Sequence, residues 1–204
     1  MKFQKKSSKP KGIILESSLQ SFFFDQLMEA NNKSLTPVSQ ETLFYSSDVL
    51  NKFSESSNYF EVVEGRVREK ILGVKLLEAG KLTKEERKRT LKDVGDTALC
   101  LCGFFSSSLE KKIIDFSYYK EIGKSAYVKL NNLIPEFLDI PYFYKHLSSS
   151  FEGVTTLISK ISLHYKEEVE ILKKYDQWLE TNDENLEQEL KYHGVLVSKQ
   201  KKKA

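Results

Sequence analysis

The sequence predicts an all-α protein, a single compact bundle of about six to eight helices with disordered basic termini. Three observations carry this. Apolar residues recur at three- and four-residue spacing through most of the 204 residues. One helix start is fully spelled out, Thr83 followed three residues later by Glu86. Nine glycines and four prolines are too few for an all-β chain with many tight turns. No 20–50-residue period repeats, which argues against a solenoid. The length suits one domain, assigned to residues 12–194, with lysine-rich tails at 1–11 and 195–204.

The first helix is expected to carry Phe22, Phe23, Phe24, Leu27 and Met28, with Ile13 to Leu15 as its first turn or a short extended piece. Asn31-Asn32-Lys33-Ser34 ends it. Thr36-Pro37 or Ser39 opens the second, whose apolar stripe is Leu43, Phe44, Leu50 and Phe53. A third helix is predicted from about Phe60 to Ala79 on the spacing of Val63, Val67, Ile71, Val74 and Leu77, closed by Gly80 in a left-handed conformation. The Thr83–Glu86 capping box opens the fourth, with Leu91, Val94, Ala98, Leu101 and Phe105 on one face. Ser106-Ser107-Ser108 breaks it, and a short helix over Leu109 to Ile114 follows. Asp115 or Ser117 caps the next, which carries Tyr118, Tyr119, Ile122, Ala126, Tyr127 and Leu130. A connector between Pro135 and Pro141 leads to Phe143, Leu147, Phe151, Val154, Leu157, Ile158 and Ile161, with a break or kink expected near Gly153. From Glu167 to Leu190 the composition turns acidic, while Val169, Leu172, Trp178, Leu179, Leu186 and Leu190 keep an apolar side.

Charge is unevenly spread. The two ends hold nine lysines and no acid, which leaves residues 13–198 at net −6 within a chain of net +3. A fold with an acidic body is a poor platform for polyphosphate, so nucleic acid is expected to meet only the lysine tails, nonspecifically. The longest apolar stretch, Ala98 to Phe105, is far short of the roughly 20 residues a membrane-spanning helix needs. Two cysteines make no disulfide framework. Together these place the protein in the cytoplasm.

No metal or cofactor set and no catalytic residue can be assigned. His146, His164 and His193 lie far apart in sequence, and no HExxH, phosphate loop or nucleophile elbow is present. Cys100 and Cys102 point to different sides of one helix and read as small core residues. One constellation stands out. Gly95, Asp96 and Gly103 interrupt an apolar helix, and the helix after it holds Gly123, Lys124, Ser125, Ala126 and Tyr127. Glycine within a helix costs about 1 kcal/mol against alanine, which points to close helix packing. A buried Asp96 must be paired. Asp96, Asp115, Tyr118, Tyr119, Lys124 and Tyr127 are therefore the candidates for a polar core network or a ligand-orienting spot. Phe22-Phe23-Phe24 and Tyr142-Phe143-Tyr144 are the candidate interface clusters, since a run of rings on a helix exposes some of them.

The order Gly95-Asp96-Thr97-Ala98-Leu99, Gly103-Phe104-Phe105, Ser108-Leu109, Asp115, Tyr118-Tyr119 and Gly123-Lys124-Ser125-Ala126-Tyr127, with Glu41 to Tyr45 ahead of it, resembles an uncharacterised family of helical bacterial proteins. The resemblance covers about residues 40–130. It implies a bacterial, cytoplasmic protein and attaches no activity or ligand to any residue. The expected function is a non-enzymatic helical interaction or regulatory protein with a protein partner or a homo-oligomeric state. The alternative is a carrier or sensor of a small apolar or aromatic ligand in the helical core.

Overall fold

Helix α1 (Leu19–Asn32) begins at Ser18, whose hydroxyl accepts the backbone N–H of Ser21, and it buries Phe23 and Leu27. In the computed structural model the described residues are 18–63, 66–69, 71–105, 116–137, 139–195 and 197. The tail at 1–11, all of that at 195–204 save Val195 and Val197, Ile13 to Leu15, Ser106 to Ser108, the helix expected over Leu109–Ile114 and Asp115 lie outside them. The chain is all-α. Among the described residues α1 is followed by α2 (Gln40–Phe53), a β1–β2 hairpin (Phe60–Val63, Arg66–Glu69), α3 (Leu72–Glu78), α4 (Lys84–Phe104) and α5 (Phe116–Leu133). A minimal β3–β4 hairpin (Glu136–Phe137, Ile140–Pro141), α6 (Phe143–Ser149), α7 (Phe151–Thr181) and α8 (Glu184–Tyr192) complete it.

The core is organised on α4. Its main partners are α5 and the first half of α7, with α2 and α3 completing its surroundings, while α1 lies against α2 and α7, and α6 against α5. The capping box fixes its start: Thr83 Oγ1 accepts the N–H of Glu86, and the Glu86 carboxylate accepts the N–H of Thr83. Leu91, Val94, Ala98, Leu99, Cys100 and Cys102 are all buried. So many buried positions in succession exceed one helical stripe, because neighbours cover α4 on several sides.

Helix α7 is the longest at 31 residues, about 46 Å at the usual rise. Its first half buries Phe151, Val154, Leu157, Ile158 and Ile161. Beyond Ser162 it carries α8, which folds back onto it after Asn182 adopts a left-handed conformation at φ 52°. Asp183 caps α8 by accepting the N–H of Asn185. Trp178 and Leu190 are the buried contacts of this arm.

Three local expectations are corrected. The helix predicted from Phe60 to Ala79 is a β-hairpin followed by a short helix. Phe60 to Val63 pairs antiparallel with Arg66 to Glu69, and Val62, Val63 and Val67 are β-branched residues that suit a strand. Gly80 does not take a left-handed conformation, since α3 runs into a 3₁₀ turn at Ala79–Lys81. The chain breaks at Ser150, between α6 and α7, leaving Gly153 inside the first turn of α7. At the start of α2 the rival cap Ser39 is the one used, its hydroxyl accepting the N–H of Thr42.

Candidate functional site

Asp96 lies at the centre of α4 with no exposed surface, so its carboxylate must find all its partners within the protein. It finds them on three helices. Tyr45 of α2 donates its hydroxyl to Oδ1 at 2.6 Å, and Tyr127 of α5 donates to the same oxygen at 3.0 Å. Lys92, one turn earlier on α4, donates to Oδ2 at 2.8 Å. Lys52 of α2 stands 4.0 Å from Oδ2 and donates to Asp93 Oδ1 at 3.3 Å.

The aromatic rings beside this carboxylate pack on one another. Tyr127 stacks on Tyr144 at 6.1 Å between centroids, and Tyr45 meets Tyr127, Phe137, Phe143 and Tyr144 edge-on. The Lys92 ammonium lies 4.9 Å from the centre of the Tyr45 ring. Gly95 makes the approach possible: a Cβ there would lie 2.6 Å from Cε1 of Tyr127. Gly123 does the same for Phe151 and Ala98, and Gly103 for Ile158.

Burial, and then the nearby Asp96 charge, push the Tyr45 and Tyr127 phenols well above their ordinary range. Both therefore stay neutral donors. Two phenols and an ammonium leave the carboxylate no outward-facing oxygen, so the arrangement ties α2, α4 and α5 in one register. The side chains of Lys52 and Lys92 extend from the network to the surface, 38% and 36% exposed.

The other sequence candidates lie elsewhere. Lys124 is 3.9 Å from Glu152 and its carbonyl accepts the Ser148 hydroxyl, so it serves the α5–α6–α7 junction. Tyr118 and Tyr119 pack edge-on against each other at the start of α5, with Tyr118 closing over Gly73 of α3. Asp115 lies outside the described residues. Of the interface clusters, Phe23, Phe143 and Tyr144 are core residues, Phe22 and Phe24 are half-buried, and Tyr142 is exposed. The sequence reading missed Tyr45, Lys92 and Lys52 as partners of Asp96. Lys92 had a signal, its i, i+4 spacing to Asp96 on a helix. Tyr144, an interface candidate from the sequence, is a core residue stacked on Tyr127.

Both thiols are buried, and burial pushes each up to about 12, which makes them inert at neutral pH. Cys100 is 3.0 Å from the Tyr59 hydroxyl. Beside that pair is an apolar cleft of about 320 Å³ lined by Phe23, Leu50, Phe53, Phe104 and Phe105. Among the described residues no three His, Cys, Asp or Glu side chains are placed to hold a metal ion. No helix among them is long and apolar enough to cross a membrane.

The surface is the more informative part. The core stripe of α7 runs 151, 154, 158, 161 and then continues on the same face through Tyr165, Val169, Leu172 and Leu179, with the exposed Asp176 set among them. Tyr165 still meets Phe22 of α1, at 5.7 Å between ring centres. Past it Val169, Leu172 and Leu179 are 46%, 62% and 44% exposed, because α8 lies on another side of α7, where Lys174 meets Glu189. A second apolar face lies on α3, where Ile71, Val74 and Leu77 are exposed, with Val128 of α5 also exposed. No family model matches the chain, and no curated protein or solved structure matches it either.

Proposed function

We propose that the chain is a non-enzymatic interaction or regulatory protein of the bacterial cytoplasm, and that the α7–α8 arm is its contact surface. The observation that carries the reading is the α7 stripe. Residues at core spacing that leave the body uncovered are what a helix presents to another helix, and apolar faces of this kind mark protein contacts. The sealed state of Asp96 supports the same reading, since the most chemically distinctive residues are engaged in holding the helices together.

Native mass spectrometry of protein purified gently from its source tests this. A second chain, the same or different, in the intact complex is the expected result. A bare monomer at every concentration would overturn the reading.

The aromatic cleft beside Tyr59 and Cys100 favours a second reading, a carrier of a small apolar or aromatic ligand at that place instead of at Asp96. The same spectrum tests it through a reproducible small adduct that is lost on denaturation. Filling the cleft with Cys100→Phe is then expected to remove the adduct, and its persistence would place the ligand elsewhere.

A further inference from the structure

The two uncovered apolar faces differ in charge. Residues 71–92, around the α3 face, hold seven lysines and arginines against three acids, with Lys92 committed to Asp96 and Lys88 to Glu85. Residues 166–192, the arm, hold nine acids against four lysines. Two of those lysines are already engaged within the arm, Lys174 with Glu189 and Lys191 with Glu187, each at 2.6 Å. Glu170, Asp176, Glu180 and Glu184 are exposed on the arm, opposite in sign to the exposed Lys81, Lys84 and Arg89 near α3, where Glu78, Glu85 and Glu86 are exposed as well.

Beside Leu77 the α3 face opens into a cleft of about 320 Å³ walled by Leu76, Leu91 and Leu133, with Arg87 and Lys129 also lining it. The arm offers a ridge and this cleft offers a recess.

One chain cannot join them. The first half of α7 runs alongside α4 in the same direction: a Cβ on Gly103 would strike Ile158, and Ser162 donates to the Phe104 carbonyl at 3.1 Å. The arm therefore leaves at the C-terminal end of α4. The cleft is at the other end, where Arg87 donates to the carbonyls of Ala79 and Gly80. About 25 Å of α4 separates Arg87 from Phe104, and the arm leads further away.

We infer that the Val169–Leu172–Leu179 ridge of one copy docks on the Ile71–Val74–Leu77 face and its cleft on a second copy. This rests on the reading of the arm as a contact surface and names the partner. Pairing two arms directly would bring acid against acid, which like-charge repulsion opposes. The contact is head-to-tail, so each added copy leaves one free ridge and one free cleft, and assembly extends into a ring or a filament.

Sedimentation of the full chain over a concentration series tests this with two variants, Leu172→Gln and Leu77→Gln. Both positions are exposed, so both proteins are expected to fold. The wild type is expected to associate, more weakly at higher ionic strength. Each variant alone weakens association by at least about tenfold. Mixed one to one, the variants restore a dimer that grows no further, because the intact ridge of one meets the intact cleft of the other. That complementation also shows that each variant is folded.

Three results would overturn the inference: a monomeric wild type, association of Leu77→Gln that matches the wild type, or a mixture that stays monomeric. A monomeric wild type that binds a different protein through the arm would overturn self-association and leave the interaction reading standing. A monomer with no partner would overturn both.

Discussion

Two stretches of the molecule use the same helical spacing to opposite ends. Around Asp96 the side chains of Tyr45, Val49, Val94, Ala98, Leu99, Tyr127 and Phe151 are covered, glycines let the backbones close in, and the central carboxylate is bonded on both oxygens. In the arm the α7 stripe goes on with the same three- and four-residue rhythm and lies open at Val169, Leu172 and Leu179. Periodicity therefore reports that a face seeks a partner. Whether the partner lies in the same chain depends on what the rest of the fold can reach.

The strongest break in that comparison is Asp96→Ala. It strands two buried phenol donors and removes the tie between three helices, so a loss of about 3–5 kcal/mol is expected in urea unfolding. A loss under about 1 kcal/mol would contradict the structural role. Trp178→Ala comes next, removing the largest fully buried side chain among the described residues, which lies in the arm. Its cost, about 3 kcal/mol, is expected to fall on the arm alone. Hydrogen exchange should quicken over residues 170–192 while the body keeps its protection; uniform loss of protection would show the two regions to be one cooperative unit.

Gly95→Ala is a smaller step. The new methyl meets the Tyr127 ring, and overpacking of about 1–3 kcal/mol is only partly offset by the better helix propensity of alanine, about 1 kcal/mol. An unchanged urea midpoint would mean that Tyr127 moves freely, against the close fit described above.

The mildest effect is absent at neutral pH and appears in alkali. Burial raises Cys100 and Cys102 from 9.0 to about 12 and holds Tyr45 and Tyr127 well above 10.0. The unfolded chain loses these protons first. Their contribution is therefore complete below about pH 9 and is lost as pH rises toward the folded values. The urea midpoint should fall above pH 9, and Cys100→Ala should flatten the part of the decline between pH 9 and 12. A midpoint that stays level through pH 11 would contradict this.

The all-α class, the cap at Thr83 and most core positions of α4, α5 and early α7 were legible in the sequence, because local spacing and capping chemistry determine them. The hairpin at Phe60–Glu69 was not, since Val63 and Val67 also satisfy a helical spacing and only the β-branched run around Gly65 opposes it. Asp96 could be singled out from its position on an apolar helix, and Tyr127 was among its proposed donors. Tyr45 lies 51 residues away in sequence. No local pattern brings α2 to that point, and packing alone selects it over Tyr118 or Tyr119. Tyr144 beside the exposed Tyr142 shows the same limit, because adjacent helical rings differ in burial only once α6 is set against α5.

The most direct measurement is photo-crosslinking in the native source with the reactive group placed in turn at Leu172 and at Leu163. Both residues are exposed on α7, the first on the ridge and the second off it. The account predicts a protein adduct from position 172 and little or none from 163. Equal labelling from both positions, or none from 172, would contradict the arm as the contact surface.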